Sequence, residues 1–150
     1  MPQTWRNFDQ PDPQSDQLFW IEHKHPAIAP TRVECLTEWE ETRSQREESN
    51  PQPHYGIITS GNAVIKHGVT REQLRKETSA LCFEIKAASL MMDFPYIIIQ
   101  GICDYADSHK NKQWQGYAAL TAAAYAKELL SYLPQGHVSQ EKLVTDICSK

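Results

Sequence analysis

Two acidic residues stand where the chain could set an acid against a ligand. Glu84 falls within the apolar run 81–85, and Asp104 comes five positions after the apolar run 96–99. If the two runs are neighbouring parallel strands, both carboxylates meet at one edge of the sheet, where open α/β folds bind ligands. Such a pair can hold the hydroxyls of a polyhydroxylated ligand and supply a proton. Acids at strand ends also cap helices or stand in solvent, and spacing alone leaves these readings open. Asp107 and Ser108 have the same choice, as caps for a helix that follows. Cys103 has no histidine placed in sequence to activate it and reads as a core thiol. His109, Lys110 and Lys112 form a short basic loop, either a solvated turn or a ligand contact. Cys35, Cys82, Cys103 and Cys148 show neither CxxC nor ligand spacing against the histidines, so no metal site is expected.

Positioning these residues calls for a parallel βαβ unit. Residues 81–85 predict a short buried strand and residues 86–93 a helix, apolar at Ala87, Ala88, Leu90 and Met91 and stopped before Pro95. Residues 96–99, Tyr-Ile-Ile-Ile, predict the strongest strand of the chain. Their continuous apolarity fits burial on both faces, as in parallel sheets. Upstream, residues 54–58 predict a strand, residues 59–62 a break and residues 63–65 its resumption. A helix over 70–77 follows, with Thr70 as its N-cap. A long alanine-rich helix over about 112–133 closes the pattern, ended by Pro134 and Gly136. The expected class is α/β.

Composition sets the limits. The chain has 150 residues, 40% of them hydrophobic and 23% charged, and a net charge of −4. Its pI is about 5.8. That is one globular domain without the basic face a nucleic-acid binder carries. No apolar run reaches the roughly 18 residues of a membrane span, and no signal-peptide core opens the chain. Reduced thiols in a cytoplasmic protein are expected. The first 50 residues carry ten acids against five Lys or Arg, while seven of nine prolines precede His54 and all six glycines follow it. Residues 1–53 therefore read as an acidic, loosely ordered segment, with one weak helix over 31–48. Residues 54–134 read as the core and 135–150 as a tail.

The runs Ser60-Gly61-Asn62-Ala63-Val64-Ile65, Cys82-Phe83-Glu84-Ile85-Lys86-Ala87-Ala88 and Ile99-Gln100-Gly101-Ile102-Cys103-Asp104-Tyr105-Ala106-Asp107 resemble the C-terminal half of the nucleoside phosphorylase and nucleosidase superfamily. Within it, the stretch 101–119 is similar to the phosphorylase-like domains of fungal multidomain receptor-like proteins. The resemblance extends over roughly residues 9–134. It implies a partial three-layer α/β/α phosphorylase-like fold with a purine nucleoside held at the strand ends. It also implies cleavage of the N-glycosidic bond, with no cofactor and with phosphate as a possible co-substrate. Asp104 matches the aspartate that meets N7 of the departing purine, where proton transfer to the base is typically worth ~10²–10⁴-fold in rate. Val64 and Ile65 match the base pocket, Ile85 the methionine beneath the ribose, and Trp114 an aromatic laid over the nucleoside. A core aromatic at a helix start is the other reading of Trp114. Phe83, Glu84, Lys86 and Cys103 complete the substrate-binding set so implied.

Three departures bear on activity. Relatives carry a second glutamate where Lys86 stands. An ammonium ion there repels the oxocarbenium centre that a carboxylate stabilises, and losing one such group costs roughly 3 kcal/mol. Gln100 replaces a family arginine. The glycine-rich phosphate loop of the family has no counterpart, because no glycine precedes Gly56. The expectation is a truncated phosphorylase-like domain of reduced or no activity; the alternatives are a non-catalytic nucleoside-binding or sensing module, or a degenerate fragment. Half a sheet leaves an apolar edge that self-association or a partner would cover.

Overall fold

The computed structural model of the chain describes residues 8–25, 37–44, 50–88 and 96–134. Strand β1 (Ile57–Ser60), helix α1 (Gly68–Thr78), strand β2 (Ala80–Glu84) and helix α2 (Trp114–Ser131) follow in that order. Strands β1 and β2 pair in parallel, with Ile58 opposite Cys82, Thr59 opposite Phe83 and Ser60 opposite Glu84. The register is irregular between Ile57 and Ile58. The molecule is thus a small α/β structure with a two-stranded parallel sheet, and α1 is the crossover between its strands.

That βαβ unit is not the one the apolar runs point to. Residues 96–100 form no strand. The segment reaches β2 through a side chain instead: Gln100 Nε2 donates to the Phe83 carbonyl at 3.1 Å. Its other end is drawn to α2. A Cβ on Gly101 would lie 2.0 Å from the Ala118 carbonyl oxygen, so only glycine lets the backbone pass there. Ile97 is left 76% exposed, although continuous apolarity promised burial. Of the helix expected over 86–93, the described part turns helical at Ala87 and Ala88, and residues 89–93 lie outside the described residues.

Local chemistry accounts for the helix ends. Helix α1 starts two residues before the expected cap. Extended His67 is the N-cap, its Nδ1 accepting from the Thr70 amide at 3.4 Å and lying 3.1 Å from the Thr70 hydroxyl. The C-cap Ser79 is left-handed, at φ 57°, and its amide donates to the Arg75 carbonyl at 2.8 Å. At α2 the cap position is Gln113, whose amide is taken by Asn111 Oδ1 at 3.0 Å. Asp107 and Ser108 do not cap this helix.

The acidic N-terminal stretch packs on the rest of the molecule where it is described. Phe19 is 2% exposed and stacks on His109 at 4.2 Å. A bridge pairs Phe19 with Glu40, and the flanking bonds run from Trp20 N to Trp39 O (3.0 Å) and from Glu41 N to Leu18 O (2.7 Å). Those cross-chain bonds use the backbone groups a helix would need, so residues 37–44 form a 3-10 turn (Thr37–Trp39) and extended chain rather than part of a helix over 31–48. Gly68 admits this stretch to the start of α1, since a Cβ there would sit 3.1 Å from the Ile21 backbone. The remainder of the 31–48 helix and the tail after 134 lie outside the described residues. The buried apolar set is small: Phe19, Ala80, Ala87 and Ala118 among the described residues.

Candidate functional site

The residues singled out by sequence fall into two groups. The first gathers at the C-terminal end of the sheet. The Gly61 amide donates to the Glu84 carbonyl at 2.9 Å, and the Ala88 amide donates to Ser60 Oγ at 3.0 Å. These bonds bring the turn after β1 against the end of β2. The turn carries Val64, 47% exposed, and half-buried Ile65, while β2 ends in half-buried Phe83 and Glu84. Exposed Ile85 and Lys86 follow directly.

Glu84 serves this local structure. Its carboxylate accepts from the Lys86 amide at 2.6 Å, and from the Ala87 amide at 2.9 Å on one oxygen and 2.8 Å on the other. It therefore caps the helical turn that opens at Ala87, the role an N-cap acid performs. Desolvation pushes its pKa up, but bonds from the Ser60 hydroxyl and from the Lys86, Ala87 and Ile85 amides outweigh that, and the carboxyl titrates below its usual range. All of this local chemistry is directed at the protein itself.

The second group lies on the loop between residue 100 and α2. The Asp104 side chain is 17% exposed, and its Oδ2 pairs with Lys110 Nζ at 2.8 Å. Its Oδ1 accepts from the Ala106 amide at 2.9 Å. Ala106 is left-handed at φ 53°, so the turn that presents Asp104 is a strained one. The Cys103 thiol is half-buried and lies 3.9 Å from Asp104 Oδ2. Desolvation first, and the Asp104 charge second, raise its pKa despite Lys110, so the thiol stays protonated at neutral pH. Trp114 opens α2. Its indole Nε1 donates to Ser15 Oγ at 3.1 Å, and its ring meets Tyr117 edge-on at 6.0 Å.

Among the described contacts Glu84 and Asp104 share no partner. The link between the groups is the Gln100 side chain, bonded to Phe83 and four residues ahead of Asp104. A recess of about 690 Å³ opens elsewhere, between Asp9, Gln10, Pro11 and Asp12 on one side and Lys112, Gln113, Gln115 and Gly116 on the other. Of the residues selected by sequence it includes Lys112 of the basic loop, and neither Glu84 nor Asp104 lines it. No group of three or more His, Cys, Asp or Glu among the described residues is placed to hold a metal ion. Among those residues no helix is long and apolar enough to cross a membrane.

Several residues that shape the second group were not legible in sequence. Arg71, on α1, donates to the Tyr105 carbonyl at 2.8 Å and lies 3.9 Å from the buried Asp107 carboxylate. Asp107 Oδ1 also accepts from the His109 amide at 2.7 Å. Asp16 and Arg43 reach Tyr105 from the N-terminal stretch. Their partners are 34 to 89 positions away, so no local spacing could have flagged them.

No family model matches the chain, and no solved structure matches it. Over 102 residues, 68% of its length, the chain is 47% identical to a protein of Hyaloscypha variabilis (strain UAMH 11265 / GT02V1 / F) named nucleotide-binding leucine-rich repeat (NLR)-like protein. The aligned stretch is 10% of that protein, so the chain spans about a tenth of the length of the curated relative it matches. The match is consistent with the expected kinship to large multidomain receptor-like proteins, and it makes no statement about nucleoside chemistry.

Proposed function

We propose that the chain is a nucleoside phosphorylase-like module that takes a purine nucleoside against the Asp104 loop and the end of β2. In this reading the molecule is part of a phosphorylase-like α/β/α arrangement, and its family role is cleavage of the purine N-glycosidic bond. The observation that carries the proposal is the presentation of Asp104, a mostly shielded carboxylate oriented by Lys110 and by the Ala106 amide. An oriented carboxyl group is what a departing purine needs at N7, because negative charge grows on the base as the bond to the sugar breaks; to deliver a proton there it must carry one, which means giving up the Lys110 pair. The resemblance of residues 60–65, 82–88 and 99–107 to the family supplies the chemistry.

A second reading is favoured by Lys86. Its ammonium group is on the exposed turn beside the β2 end, where relatives carry a carboxylate for the ribose hydroxyls. A cation there disfavours the oxocarbenium state without preventing binding, which points to nucleoside binding or sensing with little or no turnover.

The test is incubation of the purified chain with adenosine, inosine and guanosine, with and without phosphate, followed by chromatography for free base. Turnover requires base release that falls ~10²-fold or more in Asp104→Asn, and phosphate dependence separates phosphorolysis from hydrolysis. Saturable binding without release selects the sensing module. The nucleoside reading fails if none of the three nucleosides binds or reacts.

A further inference from the structure

We propose that Asp16 and Arg43 are positioning residues that hold the Asp104 loop in place through Tyr105. What the loop is for rests on the reading above; how it is held rests on geometry alone. Tyr105 sits between Asp104 and left-handed Ala106, a backbone conformation that a residue with a side chain keeps only where its surroundings enforce it. The enforcement comes from far along the chain. The Tyr105 hydroxyl donates to Asp16 Oδ1 at 2.7 Å and accepts from Arg43 Nη1. Arg43 Nη2 pairs with Asp16 Oδ2 at 3.1 Å and also donates to the Asp16 carbonyl. The guanidinium carbon lies 5.3 Å from the centre of the Tyr105 ring. On the opposite side Arg71 bonds the Tyr105 carbonyl. Tyr105 is therefore gripped at ring, hydroxyl and carbonyl.

The Arg43 and Asp16 side chains are 32% and 22% exposed, so this network is better shielded than an ordinary surface ion pair. Its members act on Asp104 one residue removed, whereas Lys110 and Ala106 touch the carboxylate directly. The geometry also couples two events. Because Asp16 and Ser15 belong to one short stretch, and Ser15 bonds Asn111 in the loop and Trp114 where the loop meets α2, the docked N-terminal stretch holds the loop both at Tyr105 and at its C-terminal end. A ligand that binds the ordered loop then strengthens docking of the stretch by the same factor by which docking strengthens its binding, since linkage is reciprocal.

The experiment is amide hydrogen exchange on the full chain and on Asp16→Ala, Arg43→Ala and Asp16→Asn. The expected result is about tenfold faster exchange in the first two variants for the amides of Ala106 and His109, as loss of one charge-assisted hydrogen bond would give. Exchange in α1 and β2 stays as in the parent chain. Asp16→Asn retains an oxygen for the tyrosine hydroxyl and keeps most of the protection. Guanosine and inosine affinity falls about tenfold in Asp16→Ala and Arg43→Ala and recovers in Asp16→Asn. If Asp16→Ala fails to fold, Tyr105→Phe deletes the hydroxyl alone and gives the same local loosening. Unchanged exchange at residues 104–111, or acceleration spread over the whole chain, overturns the proposal. If no nucleoside binds the parent chain but the local exchange pattern appears, the clasp stands and only the purine reading falls.

Discussion

At the scale of single residues, the two acids picked out for chemistry have parted company. Glu84 spends its carboxylate on the amides of Lys86 and Ala87, while Asp104 is turned toward an ammonium group on its own loop. The cap makes a pH prediction. The Glu84 carboxyl titrates lower in the folded chain than unfolded, so the stability it contributes is present above the ordinary carboxylate pKa. That stability is lost as pH falls through the lower folded value. Glu84→Gln removes this acid-side loss and lowers stability near neutral pH by about 1 kcal/mol, the worth of a cap. Thermal melts of both proteins at pH 3 to 7 check it, and the curves should converge at the acid end. Glu84 was legible as a candidate because the strand it ends is recognisable in the sequence, whereas Asp104 was reached through a strand over 96–99 that does not form and through the family resemblance. Their division of labour was not legible, since it depends on where the Ala87 amide and the Lys110 ammonium group come to lie.

Elements were more legible than their pairing. Residues 81–84 form the expected strand, 70–77 fall inside α1, and 114–131 fall inside the expected long helix. Each carries a local signal: a short apolar run, a row of good helix formers, or an alanine-rich stretch. The run 96–99 had the strongest strand composition and is not a strand. The close passage of Gly101 over Ala118 and the Gln100 side-chain bond hold it off the ladder. Long-range packing overrides propensity there. Helix α1 ends on Ser79 at φ 57°, where a Cβ is a steric cost. Ser79→Gly should therefore stabilise the chain by about 0.5 kcal/mol, less than the roughly 1 kcal/mol of steric relief because glycine has extra freedom when unfolded. A denaturant midpoint shifted upward with unchanged slope checks it.

At the scale of the whole molecule, the core is thin. Phe19 is the one large apolar side chain buried among the described residues, and Tyr55, Ile57, Leu81, Ile97 and Leu130 are more than half exposed. A single aromatic therefore carries much of the attachment between the N-terminal stretch and the rest. Phe19→Ala should cost about 3–4 kcal/mol, within the range for a buried phenylalanine. Equilibrium unfolding would record that loss. Limited proteolysis should cut within residues 8–25 before it cuts α1 or α2. Simultaneous loss of all elements would show instead that Phe19 holds the entire fold.

The sequence by itself determined the α/β class, the existence of α1, β2 and α2, and the run of residues that ties this chain to a much longer NLR-like relative. These rest on local composition and on residue identity, which need no third dimension. Only the tertiary structure decided that α1 is the crossover, that Glu84 is a cap, and that the acidic stretch is docked. Only it brought Asp16, Arg43 and Arg71 to Tyr105. The reason is physical: a hydrogen bond or ion pair is made at a few ångströms whatever the separation along the chain, and the folded path alone sets which groups come that close.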